Sequence, residues 1–110
     1  MFDFLIREAN VNYQNVLVVG RSMGTGAATY LASKRKIGAL VLISPFTSIK
    51  DLIRDRAGSF AASLVADRFN NAKRIQNVTC PTFITHGQKD TIIPKNHSQI
   101  IHCKRQLKTY

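Results

Sequence analysis

The sequence predicts an α/β fold, in which a partial parallel sheet of three strands is flanked by helices. Three short apolar runs, rich in β-branched residues, have the composition of buried parallel strands; they are residues 16–19, 40–43 and 82–85. Helical patterns separate these runs, and this alternation is typical of an open sheet with right-handed crossovers. At 110 residues the chain is long enough for one domain.

A helix is predicted directly after the first strand. Small apolar residues recur there at the spacing of one helix face, and Lys34 suits a helix C-terminus. The predicted buried face comprises Ala27, Ala28, Leu31 and Ala32. Apolar residues at near-helical spacing predict two further helices, one around residues 2–9 and one after Pro94.

The long connection after the second strand predicts a pair of helices. Ser48 and Asp51 have the spacing of a capping box, with Asp where Glu is more usual, so a helix is expected from about Ile49. The Ala-Gly-Ser run at residues 57–59 predicts a break. Beyond the break, an apolar face is expected at Ala61, Leu64, Val65 and Phe69.

Charge and composition limit the classes of function. The net charge is +10, but the basic residues are spread along the chain and no aromatic residues alternate with them, so nucleic-acid binding is not expected. A basic solvated surface is the favoured interpretation, with weak attraction to an anionic membrane surface as the alternative. Cys80 and Cys103 are interpreted as ordinary thiols.

Two further absences set the expected location. No run approaches the ~20 apolar residues of a membrane-spanning helix, and the first residues do not resemble a signal peptide. We therefore expect the cytoplasm, or the cytoplasmic face of a membrane.

The run Gly20-Arg21-Ser22-Met23-Gly24 is the motif that carries chemistry. It follows a buried strand and opens a helix, which is the context that a GxSxG nucleophile elbow requires. Ser22 is the candidate nucleophile, and the Met23 N–H is a candidate oxyanion donor at the start of the helix. Gly20 and Gly24 are both expected to be needed, because a Cβ at either position would crowd the neighbouring backbone. The run matches neither a phosphate loop nor the dinucleotide fingerprint, so no cofactor is expected.

Asp90 is the candidate acid. It lies just past the third strand, at the sheet edge that also carries the elbow, where a carboxylate can orient a catalytic histidine. The segment after the second strand, which begins Ser44-Pro45, offers no carboxylate, and Asp67 falls in a helical stretch. The alternative for Asp90 is a turn or an N-cap.

None of the three histidines suits the role of general base. His86 ends the third strand and is expected to make a structural contact, while His97 and His102 fall in the helix after Asp90, poorly placed to reach Ser22. No histidine pair has zinc-binding spacing, so no metal is expected.

Three blocks of the sequence resemble one known family. Residues 18–26 (VVGRSMGTG), 42–48 (LISPFTS) and 81–94 (PTFITHGQKDTIIP) are similar to the BEM46-like and ABHD17-type serine hydrolases of the α/β-hydrolase superfamily. The resemblance implies that Ser22 is the nucleophile and Asp90 the acid. In that family the histidine follows farther along, after one more strand, and the second oxyanion donor precedes the elbow. Residues 1–110 are therefore expected to be the central-to-C-terminal part of one α/β-hydrolase domain, truncated at both ends.

The resemblance also implies a class of substrate. Family members cleave esters or thioesters, and the ABHD17-type members remove palmitate from cysteines of membrane proteins. The expected partner is accordingly an acyl ester or thioester, with an acylated membrane protein as the narrower option. Two alternatives remain open: a catalytically incompetent fragment that lacks the triad histidine, and a basic interaction module. The sequence does not indicate an oligomeric state.

Overall fold

The computed structural model of the chain describes residues 1–64, 66 and 69–106. Short 3-10 segments at Tyr13–Asn15 and Ile75–Asn77 join the main elements. In chain order these elements are α1 (Phe2–Arg7), β1 (Leu17–Arg21), α2 (Gly24–Lys34), β2 (Ala39–Ile43), α3 (Ile49–Ser63), α4 (Asn71–Arg74), β3 (Thr82–Thr85) and α5 (Asn96–Gln106).

The three strands form a parallel sheet in the order β1-β2-β3, as the sequence predicts. Their last residues, Arg21, Ile43 and Thr85, lie side by side in one register. The first strand runs two residues farther than expected, because its ladder with β2 continues through Gly20 and Arg21. The elbow therefore begins inside the strand.

One face of the sheet carries the core. Leu40 and Leu42 are fully buried, and they pack in a cluster with Ala28, Ile75 and Ile101 from the helices and the connection on that side. The opposite face is largely exposed in the described part of the chain. Its exposed fractions include 60% at Leu17, 56% at Val19 and 64% at Phe83.

Helix α2 packs on the sheet through a slightly different face from the predicted one. Ala28 and Ala32 are buried as expected, but Ala27 is exposed and the expectation for it was wrong. Thr25 and Thr29 take its place. These four buried positions follow the period of 3.6 residues, whereas Ala27 lies one step round the helix from Ala28.

Helix α3 begins and breaks where the sequence predicts. The Ser48 hydroxyl accepts a hydrogen bond from the Asp51 amide at 3.0 Å, and Gly58 has φ 90°, outside the helical region. The reciprocal half of the capping box is not formed. The Asp51 carboxylate binds the Thr47 hydroxyl at 2.6 Å and Arg54 instead, because aspartate is one methylene shorter than glutamate.

The apolar face expected after the break was wrong. α3 ends at Ser63, so Leu64 follows it and is 74% exposed, while the buried residue is Ala62. Ala61 is half-buried, and Phe69 is partly exposed at a non-helical position with φ 50°, where its ring lies next to Gly26. Val65 lies outside the described residues.

The two terminal helices are confirmed. Asp3 of α1 forms an ion pair at 3.0 Å with Arg35, the residue that caps the C-terminus of α2. Ile101 of α5 is buried in the core, and Leu107 lies outside the described residues. Among the described residues, no helix has both the length and the apolar character that crossing a membrane requires.

Candidate active site

Ser22 occupies a sharp turn between β1 and α2. Its φ is 52°, in the left-handed region that non-glycine residues rarely adopt. Hydrogen bonds hold this conformation from both sides. The Ser22 N–H donates to the Ile43 carbonyl of β2 at 2.9 Å, and its own carbonyl accepts from the Thr25 N–H at 3.1 Å and the Thr25 hydroxyl at 2.6 Å. The turn is therefore built into the sheet and into the first turn of α2.

The two glycines of the motif differ in their surroundings. A Cβ added to Gly20 would lie 2.7 Å from both the Ala28 Cβ and the Gly24 carbonyl oxygen, so the expectation for Gly20 is confirmed. The same expectation for Gly24 was wrong. No atom outside its own neighbourhood lies within 4 Å of a Cβ built there, because the position faces away from the sheet.

Met23 stands at the N-cap position of α2, with φ −60° and ψ −31°. Amide groups at this end of a helix have no acceptor within the helix and carry the positive end of its dipole. The Met23 side chain is exposed beside Ser22. The Met23 N–H could thus donate a hydrogen bond to an anion formed next to Ser22. Its role as an oxyanion donor stays a prediction.

The Asp90 carboxylate is fixed by the backbone that follows it. One oxygen accepts hydrogen bonds from the Ile92 and Ile93 amides, each at 2.9 Å. The other lies 3.4 Å from the Nε2 atom of His86. This is the Asx-type turn that the sequence left as an alternative, but it leaves the second oxygen available to orient another group.

The same contacts lower the pKa of Asp90. The Ile93 amide has the largest effect, the Ile92 amide and the Ser44 hydroxyl add to it, His86 contributes through its charge, and partial burial opposes them.

A folded-state pKa below the unfolded value stabilises the fold fully above about pH 4, and this contribution is lost as the pH falls through the folded-state value. We therefore expect Asp90→Asn to flatten the loss of stability between about pH 5 and pH 2. Urea denaturation midpoints across this range, measured on the unmodified protein and on Asp90→Asn, check it. A pH dependence in Asp90→Asn that parallels the unmodified protein would contradict the assignment.

The sheet brings the two candidate groups to one edge. Ser22, Ser44 and His86 each follow the last residue of a strand, and those last residues are in register. Neighbouring strands lie about 4.8 Å apart, so the backbones at the ends of β1 and β3 are about 10 Å apart. A gap of this width between the two strand ends leaves room for an imidazole. Ser22 directly follows the end of β1, and Asp90 lies five residues past the end of β3.

Known proteins resemble this chain in fold and in sequence. The acylaminoacyl peptidase of Pyrococcus horikoshii shares the fold with a TM-score of 0.75, over 98% of this chain and 20% of that one, at 12% identity. The alpha/beta hydrolase domain-containing protein aho-3 of Caenorhabditis elegans is 31% identical over 101 residues, which cover 92% of this chain and 30% of that protein. The chain belongs to the α/β-hydrolase superfamily. Human alpha/beta hydrolase domain-containing protein 17B is 30% identical over 97 residues, covering 86% of this chain and 32% of the relative.

This α/β-hydrolase chain spans about a third of the length of the curated relatives it matches. No protein-family model matches it.

Ser44 is a residue of the site that the sequence analysis missed. It directly follows β2 with φ 50°, its N–H donates to the Thr85 carbonyl at 2.8 Å, and its side chain helps to lower the pKa of Asp90. The sequence pattern did not indicate Ser44 as part of the site because its side chain is not a carboxylate. Its position, one residue past a strand at the same edge as Ser22, was the available signal.

His86 makes a structural contact, as the sequence predicts. Because a carbonyl can only accept, the Nε2 of His86 carries the proton that is shared with the Ile93 oxygen at 2.6 Å, and Nδ1 faces the Ser98 hydroxyl. His97 is buried and bonded elsewhere, and His102 is exposed on α5. The ring nitrogens of His86 and His97 thus have partners other than Ser22.

A cavity of about 270 Å³ lies between β3 and α5. Its lining includes His86, Ser98 and His102, and neither Ser22 nor Asp90 is part of it. The candidate nucleophile and the candidate acid therefore lie outside this cavity, near the edge where the strand ends are in register.

Proposed function

We propose that this chain supplies the nucleophile, Ser22, and the acid, Asp90, of a serine hydrolase that acts on carboxylic esters or thioesters. The observation that supports this most is the left-handed Ser22, which main-chain bonds hold at the sheet edge where the Asp90 carboxylate is also fixed. Backbone strain of this kind persists where the surrounding structure enforces it, and it is concentrated at functional sites.

The proposed reaction has two halves. The Ser22 oxygen attacks the acyl carbonyl carbon while its proton passes to a histidine base, and the Met23 N–H donates to the resulting oxyanion. The tetrahedral intermediate collapses as the carbon–oxygen or carbon–sulfur bond breaks, and the leaving alcohol or thiol takes the proton. Water then attacks the acyl-enzyme by the same route, which releases the carboxylic acid and restores Ser22.

The base is the one triad member that the described residues leave unassigned. His86 and His97 are committed to other partners, and His102 lines the cavity between β3 and α5. The proposal requires a histidine that the described residues do not supply, next to the Asp90 oxygen that faces His86. Activity is accordingly to be measured in the full-length protein.

Apolar side chains next to the two groups favour a hydrophobic acyl substrate. Met23, the residue after Ser22, is 56% exposed. Ile92, two residues after Asp90, is 66% exposed. Such side chains can cover an acyl chain whose carbonyl lies at Ser22. A fatty acyl thioester on a cysteine of a membrane protein is the narrower form of the proposal, in line with the family resemblance.

Labelling with a fluorophosphonate probe tests the role of Ser22. The full-length protein should react covalently at Ser22, and Ser22→Ala should lose the label completely, because the probe forms its bond only with an activated serine. Ser33→Ala is the matched control, since Ser33 is bonded to the Tyr30 carbonyl on α2 and should leave labelling unchanged. Equal labelling of the protein and Ser22→Ala would refute the assignment.

The catalytically incompetent alternative predicts a different result. A folded full-length protein that shows no labelling and no ester or thioester turnover would fit a chain kept for interaction. Circular dichroism on the same samples separates this outcome from unfolding.

A further inference from the structure

His97 is buried and is not used by the proposed reaction. It is 2% exposed at the start of α5, and both ring nitrogens have partners. The Thr47 N–H donates to Nδ1 at 3.0 Å, so Nδ1 is unprotonated and Nε2 carries the proton that it shares with an Asp55 oxygen at 2.6 Å. The ring therefore joins α5 to the segment after β2 and to α3.

These contacts resemble a catalytic triad but cannot act as one. The Thr47 hydroxyl lies 3.1 Å from the His97 Nδ1, as a nucleophile would. However, Thr47 is buried, and its hydroxyl donates to Asp51 at 2.6 Å. The Thr47 hydroxyl therefore has neither a proton to give to His97 nor room for a substrate beside it, and its role is structural.

The segment that His97 anchors at Thr47 begins at Ser44, close to Asp90. Thr47 lies three residues after Ser44, and the intervening segment is buried, with the Phe46 carbonyl bonded to Asn71. The Ser44 side chain in turn is close enough to Asp90 to lower the pKa of its carboxyl group. Because Ser44 has φ 50°, its conformation depends on such anchors at the end of the segment.

Ser98, the residue after His97 in α5, contacts His86, which lies on the other side of Asp90. Ser98 binds the Nδ1 of His86, whose Nε2 contacts the Ile93 carbonyl and lies 3.4 Å from the Asp90 carboxylate. Two adjacent residues on one helix thus fix the two side chains that flank Asp90.

We propose that His97 and Ser98 together form a positioning pair for Asp90, which holds Ser44 through Thr47 on one side and His86 on the other. The effect on catalysis rests on the proposed function, whereas the effect on the local structure does not. The pair does not touch the substrate; it sets the place of the carboxylate that orients the catalytic histidine.

Two substitutions separate the contacts of His97. In His97→Asn, the side-chain oxygen takes the place of Nδ1 and can still accept from Thr47. In His97→Gln, the amide reaches towards Asp55 and leaves the buried Thr47 N–H without an acceptor. Asparagine should therefore rescue the position and glutamine should not. Ser98→Ala tests the other flank independently.

Amide hydrogen exchange by NMR, measured on the full-length protein, reads the position of Asp90 directly. The Ile92 and Ile93 amides donate to its carboxylate, and the Leu40 amide, which donates to the Pro81 carbonyl, reports on the whole fold. We expect exchange at Ile92 and Ile93 to rise about tenfold in His97→Gln and in Ser98→Ala, and to stay within about twofold in His97→Asn, with Leu40 unchanged. Unchanged exchange at Ile92 and Ile93 would overturn the proposal, and so would an equal rise at Leu40.

Turnover gives a second readout. His97→Gln should lower kcat about tenfold with KM nearly unchanged, because a displaced acid misorients the base without touching the substrate site. If the exchange pattern appears but the unmodified protein neither labels at Ser22 nor turns over, the pair positions Asp90 and the proposed function is what fails. If exchange rises and kcat does not fall, the catalytic part of the inference is refuted.

Discussion

Replacing Asp90 with asparagine is expected to lower kcat/KM for an ester or thioester substrate by roughly 10⁴-fold. The amide keeps an oxygen that can accept from the Ile92 and Ile93 amides, so the turn should survive. What it loses is the negative charge that holds the catalytic histidine in the correct tautomer and stabilises its protonated form. The loss should therefore fall on kcat, with KM affected little.

Steady-state kinetics on the full-length protein test this, with Asp3→Asn as the matched control. Asp3 is an exposed carboxylate paired with Arg35 on the outer side of α2, and its removal should change kcat/KM less than about twofold. A loss below about tenfold in Asp90→Asn, in protein that circular dichroism shows to be folded, would show that another group acts as the acid.

Gly20→Ala is expected to destabilise the protein by about 1–3 kcal/mol and to reduce labelling of Ser22 beyond what the unfolded fraction explains. The added Cβ would stand 2.7 Å from the Ala28 Cβ and the Gly24 oxygen, and 2.9 Å from the Thr25 Cα. Two of these atoms belong to the main chain of α2, so no rotamer change relieves the contact. The start of α2 must move away from β1, and the Met23 N–H moves with it.

Gly24→Ala is the matched control. The GxSxG motif has glycine at both positions, but only Gly20 has close neighbours at the position of a Cβ. With no atom outside its own neighbourhood within 4 Å of its Cβ, alanine at position 24 should stabilise α2 by up to about 1 kcal/mol and preserve labelling. Urea denaturation and probe labelling on both variants decide the matter. Equal losses of stability and labelling in Gly20→Ala and Gly24→Ala would contradict the prediction, because they would show that the close contact at Gly20 is not the reason that glycine is needed.

The parts of the fold that the sequence predicted are those written in local patterns. β-branched runs mark the strands, Ser48 marks the start of α3, and a strand followed by glycine and serine marks the elbow. Each of these signals lies within a few residues of the feature that it specifies.

The parts that were missed depend on contacts between distant segments. His97 meets Thr47 across 50 positions and Asp55 across 42, and no spacing within the sequence reveals either pair. The error at Gly24 has the same origin, since only the packing of α2 on β1 shows which glycine faces the sheet. The end of α3 was placed too late because Leu64 and Phe69 are apolar without being buried on one helix face.

The common register of Arg21, Ile43 and Thr85 bears on how far such a protein can diverge. Ser22 directly follows one of these strand ends and Asp90 lies five residues past another, and the Ile92 and Ile93 amides donate to the Asp90 carboxylate. Mutations on the outer helix surfaces can accumulate without moving either group, provided that the close contact at Gly20 is kept. A related chain can therefore change many exposed helix residues and keep the strand ends that carry Ser22 and the Asp90 loop.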